Sequence, residues 1–177
     1  MLDVAVAYNR FKFLGDEFLT WLWFIIENDP GHLKTLSPEL LSLEIGNRIV
    51  LENRRHQGLE RITINGDDAK LEEGVLALRK GAVVTEMNLC FKSGDQEWRF
   101  TIKGESLNLS GFKTPLAGSV ETAEDLEGAV IEKAFLYDQA IQFVDNLFKN
   151  FIKLRISNQW QSKIVPQIRK WINAYAG

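Results

Sequence analysis

The stretch EFLTWLWFII, from Glu17 to Ile26, restricts the possible folds more than any other part of this sequence. Eight of its ten residues are apolar, and two of these are tryptophans. The apolar run is about half the roughly 20 residues that a membrane-spanning helix needs. Apolar residues fill both the i, i+3, i+4 positions of one helical face and most of the opposite face. A helix that is apolar nearly all round is buried on most sides, which predicts a core helix that begins at Asp16 and Glu17 and ends at Asn28-Asp29-Pro30-Gly31.

The composition is typical of an ordinary globular protein with one domain or two small ones. The chain has 177 residues, of which 45% are hydrophobic and 25% charged, and a chain of this length buries a core without disulfides or metals. Its one cysteine, Cys90, excludes an internal disulfide and fits a reducing compartment. The first residues, MLDVAVAYNR, lack the basic start and apolar core of a signal peptide. We therefore expect a cytoplasmic protein.

Alternating apolar residues predict three strands before a short helix. Leu41, Leu43 and Ile45 alternate with polar residues, and the alternation resumes at residues 49–51. Between them Gly46-Asn47 is a two-residue signal for a β-hairpin. A third strand is predicted at residues 59–64, before the turn Asn65-Gly66-Asp67-Asp68.

The short helix is predicted from about Ala69 to Lys80, with Asp68 as its N-cap and Gly81 at its end. Two further strands follow, joined by the turn Ser93-Gly94-Asp95. Val83, Met87, Leu89 and Phe91 share one face of the first strand, and Trp98, Phe100 and Ile102 face inward on the second. This pattern is that of a half-buried antiparallel hairpin.

The C-terminal part is predicted to be helical after a loop from Thr114 to Thr122. One helix from about Glu124 to Ile156 would be roughly 50 Å long, so it either breaks or projects into a partner. A last helix, about Gln159 to Tyr175, contains Pro166 and is expected to kink or start afresh there. The class is α+β, with a largely antiparallel sheet of about five strands in residues 1–122. A helical segment, residues 123–177, packs on that sheet domain or on a partner.

Charge is distributed unevenly along the chain. The formal net charge is −3, but residues 146–177 hold six basic residues and no acidic residue, against 15 basic and 24 acidic residues before them. A basic end on an acidic body is either a contact surface or a set of solvated helix faces.

Three blocks of sequence, in the same order, resemble the recombination-associated protein RdgC family. LRKGAVVTEMNLCF is similar to that family's Gly–x–Val-Val-Thr strand entry after a short helix. FLGDEFLTWLWF and LRISNQWQSKIVPQIRKWI are similar to tracts in one branch of it. The resemblance covers nearly all of this chain and corresponds to the C-terminal part of the family.

The resemblance implies a cytoplasmic, nucleoid-associated protein that binds duplex DNA without sequence preference, without a cofactor and as a ring-like homodimer, and that restrains RecA-type recombination. Binding of this kind needs phosphate contacts from lysine and arginine rather than base reading. The candidate contacts are the basic residues at the end of the short helix and in the C-terminal segment: Arg79, Lys80, Lys149, Lys153, Arg155, Lys163, Arg169 and Lys170. For each of these residues taken alone, an ordinary solubilising charge is the favoured interpretation, and phosphate contact is expected of them only as a group.

Two other features have alternative interpretations. Arg54-Arg55-His56 is a basic turn that would touch phosphate or protect a sheet edge. Trp160 and Trp171 lie among basic residues, where exposed rings would stack on single-stranded bases, although packing between helices is the favoured interpretation.

The alternative function is a protein-interaction or dimerisation module that keeps the family fold and has lost DNA binding. It rests on the acidic body, on Asn65-Gly66-Asp67-Asp68 where the family has basic residues, and on the absence here of the family's N-terminal region.

Enzyme activity is not expected. The adjacent carboxylates at Asp16/Glu17, Asp67/Asp68 and Glu72/Glu73 are explained as helix caps and solvated charges, and neither a Gly-rich phosphate loop nor a Gly-x-Ser-x-Gly elbow occurs. His32 and His56 stand alone in the sequence, which gives no zinc motif.

Overall fold

The structure is a computed structural model that describes residues 10–36, 42–53, 60–66, 68–115, 118 and 122–174. The strands are β1 (Ser42–Asn53), β2 (Glu60–Asn65), β3 (Val83–Ser93), β4 (Gln96–Lys103) and β5 (Asn108–Lys113). The helices are α1 (Phe13–Asn28), α2 (Pro30–Leu36), α3 (Asp68–Arg79), α4 (Ala123–Arg155) and α5 (Val165–Ala174), with a π-helical turn at Trp160–Ile164 directly before α5.

The described strands form one antiparallel sheet in the order β2-β1-β3-β4-β5. On β3, Leu89 pairs with Ile45 of β1 and with Phe100 of β4, and all three side chains point to the face that the helices cover. The predicted α+β class is therefore confirmed, together with the buried N-terminal helix, the short helix between strands and the long C-terminal helix.

The predicted hairpin at Gly46-Asn47 is wrong, because both residues lie inside the 12-residue strand β1. The pairing of β1 with β3 is irregular between Ile45 and Ile49. A Cβ on Gly46 would lie 1.9 Å from Oδ1 of Asn88, the same atom that accepts a 3.3 Å hydrogen bond from the Asn47 N–H. Glycine is needed here because the Asn88 side chain fills the space beside the irregular strand, and not because the chain turns.

Within the described residues the expected number of strands is present, but their distribution is different. There, two strands instead of three precede α3, and three instead of two follow it. The additional strand, β5, carries Gly111 at φ 63° beside a shift in its register with β4. Residues on one face of a regular strand are an even number of positions apart. Because this bulge adds one residue, Leu109 and Phe112 both face the core although they are three positions apart.

The core lies between the sheet and α1, α3, α4 and α5. Trp21, Trp23 and Phe18 of α1 are completely buried, as the apolar run predicts. Pro30 begins a second short helix, α2, rather than only ending α1, and proline suits this first helical position. The predicted inward face of β4 is confirmed, and so are Met87, Leu89 and Phe91 on β3, but a register shift near the start of β3 puts Val84 rather than Val83 in the core. The Trp98 indole N–H donates to the Leu136 carbonyl of α4 at 3.0 Å.

Local signals set the ends of two helices. Gly81 has φ 94°, and the Gly81 and Ala82 N–H groups bond back to Leu78 and Ala77 at the end of α3, which is the Schellman arrangement. Thr122 and Asp125 form a capping box at the start of α4. Helix α4 is unbroken over 33 residues.

The last helix widens at Trp160–Ile164, where the Val165 N–H bonds to the Trp160 carbonyl, and then continues through Pro166. The change of geometry predicted at Pro166 thus falls just before the proline. Proline and π-helical turns are both recognised causes of a change in helix direction. Tyr175 and the Arg54-Arg55-His56 turn lie outside the described residues, as do the side chains of Asp67 and Asp68.

Candidate nucleic-acid interface at the C-terminal helices

Two buried tryptophans fix the position of α5 and the turn before it. Trp160 and Trp171 are each only 5% exposed. The Trp171 ring meets Trp23 edge-on at 5.5 Å, and the Trp160 ring meets Phe151 at 5.5 Å. Packing between helices, the favoured interpretation of both rings, is confirmed, and neither offers a stacking surface for bases.

A carboxylate ties α5 to α1. Glu27 accepts hydrogen bonds from the indole N–H groups of Trp23 at 2.5 Å and Trp171 at 3.0 Å. Trp23 is completely buried, so its N–H depends on a protein partner. The sequence gives no direct signal for this arrangement, because Glu27 and Trp171 are 144 residues apart.

A cleft of about 600 Å³ opens on one side of α5, between it, α2 and the C-terminal end of α1. Phe24, Ile25 and Trp171 contribute its apolar part. Lys163 and Lys170 line the α5 side and are exposed. They are seven residues apart, which puts them on one face with a separation of about 10 Å.

A groove of about 470 Å³ runs along the other side of α5. Arg169 and Val83 are among its lining residues, together with the acidic Asp16 and Glu17. Helix α3, which ends at Arg79 and Lys80 just before Val83, packs against α5. Lys80 itself lines a separate cleft of about 330 Å³ with Glu60 and Glu73.

Two of the eight predicted contacts already have acidic partners. The Arg155 Nε donates to Glu17 Oε2 at 2.6 Å, and the guanidinium lies 5.4 Å from the centre of the Trp160 ring. Lys149 Nζ lies 2.5 Å from Asp145 Oδ2, one helical turn away. Contact with a phosphate would compete with these pairs.

The other six predicted contacts are exposed and have no ion pair among the described residues: Arg79, Lys80, Lys153, Lys163, Arg169 and Lys170. Three of them lie within eight residues of one another on the last helix. We call Lys163, Arg169 and Lys170 the basic ridge. Lys153 lies on α4, and Arg79 and Lys80 lie at the end of α3, so the six exposed residues are spread over three helices and do not all belong to the basic ridge.

The uncovered face of the sheet has a different charge arrangement. Four of its cations face carboxylates: Arg61 and Arg48 lie 2.9 and 3.8 Å from Glu86, and Arg99 and Lys92 lie 2.7 and 3.6 Å from Glu97. The hydrogen bond from Arg99 lowers the pKa of the Glu97 carboxyl. Such exposed pairs stabilise the fold little, and a phosphate that bound here would compete with Glu86 and Glu97 for these four cations.

Cys90 lies beneath this charged layer and is buried. Burial raises the pKa of its thiol, and the nearby Glu97 carboxylate raises it further. A raised pKa means less thiolate at pH 8, and the thiolate is the reactive form. We expect Cys90 in the folded protein to react with Ellman's reagent at least about tenfold more slowly than an exposed cysteine.

The matched control is Ser110→Cys in a Cys90→Ala background, because Ser110 is exposed on the same sheet. Equal rates for the two cysteines in folded protein would contradict the buried position of Cys90. Both should react at similar rates in denaturant.

Within the described ranges no group of three His, Cys, Asp or Glu residues is placed to hold a metal ion, and no helix is both long and apolar enough to cross a membrane.

No known protein-family model matches the sequence. A search of curated proteins likewise finds no significant match. The resemblance to the RdgC family stays a prediction.

Proposed function

We propose that this chain is a non-enzymatic, RdgC-like protein that binds duplex DNA without sequence preference and acts in the control of recombination. The basic ridge is the observation that supports the proposal. Its three cations are exposed, have no ion pair among the described residues and sit on a helix held firmly by two buried tryptophans. Cations that project from a helix held in place suit phosphate contacts, which need charge and approximate position but no base reading.

Binding is proposed to begin at the ridge and to extend to Lys153, Arg79 and Lys80. Lys149 and Arg155 are secondary contacts, because each must first leave its carboxylate. The protein is then a cytoplasmic, nucleoid-associated one. By covering duplex DNA it lowers RecA-type strand exchange, and variants that do not bind lose this inhibition.

The test is fluorescence anisotropy of a labelled duplex titrated with the protein. We expect micromolar affinity at 50 mM salt. With about four phosphate contacts, raising the salt to 200 mM lowers the affinity roughly 100-fold, because each contact releases condensed counterions. Duplexes of unrelated sequence bind equally. No binding at micromolar protein, or binding that ignores salt, would refute the proposal.

The double variant Lys163→Gln/Lys170→Gln locates the contact. Losing two phosphate contacts lowers the affinity roughly tenfold for each at 0.1 M salt and reduces the salt slope by about 2. Lys103→Gln/Lys113→Gln changes the net charge equally at two exposed residues of β4 and β5. If both doubles weaken binding to the same extent, the ridge has no special role.

A second candidate function, a protein-interaction or dimerisation module, is favoured by a different part of the molecule. The first half of α4 carries large apolar side chains that are more than half exposed, including Leu126, Val130, Ile131 and Phe135. Exposed apolar surface of this extent commonly marks an interaction site. The two functions use separate surfaces and are compatible in one protein.

A further inference from the structure

The first half of α4 extends past the body of the protein. From residue 123 to residue 135 every residue except Ala129 is exposed, and the first fully buried side chain on the helix is Leu136. Beyond it, Phe143, Leu147 and Phe151 point into the core. The described residues cover only the second half of this long amphipathic helix, so they leave the apolar surface of its first half without a partner.

Four apolar residues line one side of this helix. At 100° per residue, Leu126, Val130, Tyr137 and Ile141 fall within about 60° of one another. Leu126, Val130 and Ile141 are 55%, 61% and 52% exposed. We call these four residues the α4 face. The Tyr137 ring meets Phe112 of β5 at 4.9 Å, which fixes the face beside the edge of the sheet.

The spacing of the α4 face is the same in both directions along the helix. The four residues are separated by four, seven and four positions, so their midpoint falls between Lys133 and Ala134. Two such helices that run antiparallel about a two-fold axis at this midpoint place Leu126 of each against Ile141 of the other, and Val130 against Tyr137. Two-fold contacts of this kind use the same patch on both copies.

We infer that a second copy of this chain covers the α4 face, through antiparallel pairing of the two α4 helices about an axis near Ala134. The short Ala134 side chain lets the helices approach closely, since interaxial distance follows side-chain size. This inference names the partner of the interaction surface in the second candidate function and does not depend on DNA binding.

A neighbouring groove extends the contact. An apolar groove of about 380 Å³ lies between β5 and α4, next to Ile141, and Leu109, Phe112 and Phe148 contribute to it. In the antiparallel pair, the first turn of the partner's α4 lies over this groove. The apolar wall of the groove then gains a cover that the described part of one chain does not provide.

The size of the contact sets the expected affinity. Sixteen residues of helix, from Leu126 to Ile141, span about 24 Å. A strip of this length and about 10 Å wide covers about 240 Å² of each helix, and the neighbouring groove adds to the surface that the pair buries. Stable complexes bury about 800 Å² per partner, so we expect a reversible dimer with a dissociation constant in the micromolar range.

Disulfide trapping tests the register. In a Cys90→Ala background, Ala134→Cys places the two thiols next to the axis, and mild oxidation should give most of the protein as covalent dimer. Glu124→Cys is the matched control, because its two copies would be 19 residues, or about 28 Å, apart. Equal cross-linking of the two variants, or none at Ala134→Cys, overturns the inference.

Light scattering between about 1 and 200 μM tests the face. Wild-type protein should shift from monomer to dimer over this range, Val130→Asp should remain monomeric, and Ile131→Asp, equally exposed but on another side of α4, should dimerise. A wild-type monomer at 200 μM, or a Val130→Asp dimer, overturns the inference. Circular dichroism confirms that the variants are folded.

The proposed DNA binding and the proposed pairing of α4 can be refuted independently of each other. Lys163→Gln/Lys170→Gln should still form the Ala134→Cys cross-link, because the basic ridge is outside the α4 face. Loss of DNA binding with retained cross-linking would therefore bear on the first proposal alone. The reverse result, DNA binding by a protein that never dimerises, would remove only the inference about α4.

Discussion

Gly15→Ala is expected to destabilise the protein by about 3 kcal/mol, although alanine normally favours a helix over glycine by about 1 kcal/mol. Gly15 lies in the first turn of α1, against the connection that follows β4. An added Cβ would lie 1.7 Å from the Gly104 carbonyl oxygen and 2.4 Å from its carbon. The Gly104 N–H donates to the Thr85 carbonyl at 2.8 Å, so the obstructing backbone is itself held to β3.

Thermal and urea denaturation measure this effect. For a chain of this size, about 3 kcal/mol corresponds to a fall in the melting temperature of roughly 6–12 °C. The matched control is Gly128→Ala on the exposed part of α4, where an added Cβ meets nothing within 4 Å. That variant should gain about 0.5–1 kcal/mol. If both glycine variants are stabilised, the close approach of α1 to Gly104 is wrong.

The sequence predicts best the elements whose signals are local. Residues that follow helical spacing located α1 and α4, and Gly81 marked the end of α3, because periodicity and glycine at positive φ act within a few residues. The burial of Trp98, Phe100 and Ile102 followed from simple alternation. These features depend little on which distant part of the chain they meet.

The incorrect predictions arose where a distant residue decides the outcome. Gly46-Asn47 resembles a turn locally, but Asn88, more than 40 residues later, occupies the space beside Gly46 and keeps the strand extended. At β5, the bulge at Gly111 breaks the alternation on which a strand prediction relies. In both places the backbone geometry depends on the neighbouring strand.

The candidate interface shows the same limit. Sequence alone located the basic residues but not their partners. Arg155 pairs with Glu17, 138 residues away, which separates it from the cations of the basic ridge. The i, i+7 spacing of Lys163 and Lys170 was a usable signal for a shared face. The cleft that they line required the packing of α5 on α1.

Glu27→Ala is expected to destabilise the protein by about 3 kcal/mol, because it leaves two indole N–H groups without their acceptor. Each buried donor left unsatisfied costs about 1–3 kcal/mol, and Trp23 has no access to water. Glu27→Gln keeps one amide oxygen as an acceptor and should fall between wild type and Glu27→Ala. Urea denaturation followed by tryptophan fluorescence gives the three values.

The same substitution connects stability to the proposed DNA contact. Glu27 joins α1 to α5 through Trp171, so its loss should loosen the helix that carries the basic ridge before the sheet unfolds. Hydrogen exchange in Glu27→Ala should therefore increase in α5 more than in β3. Glu127→Ala, at an exposed carboxylate of α4, should change neither stability nor exchange in α5. A uniform loss of protection throughout the fold would contradict this prediction. It would show that Glu27 supports the whole core rather than the attachment of α5 in particular. The helix that carries the basic ridge would then open no more easily than the sheet.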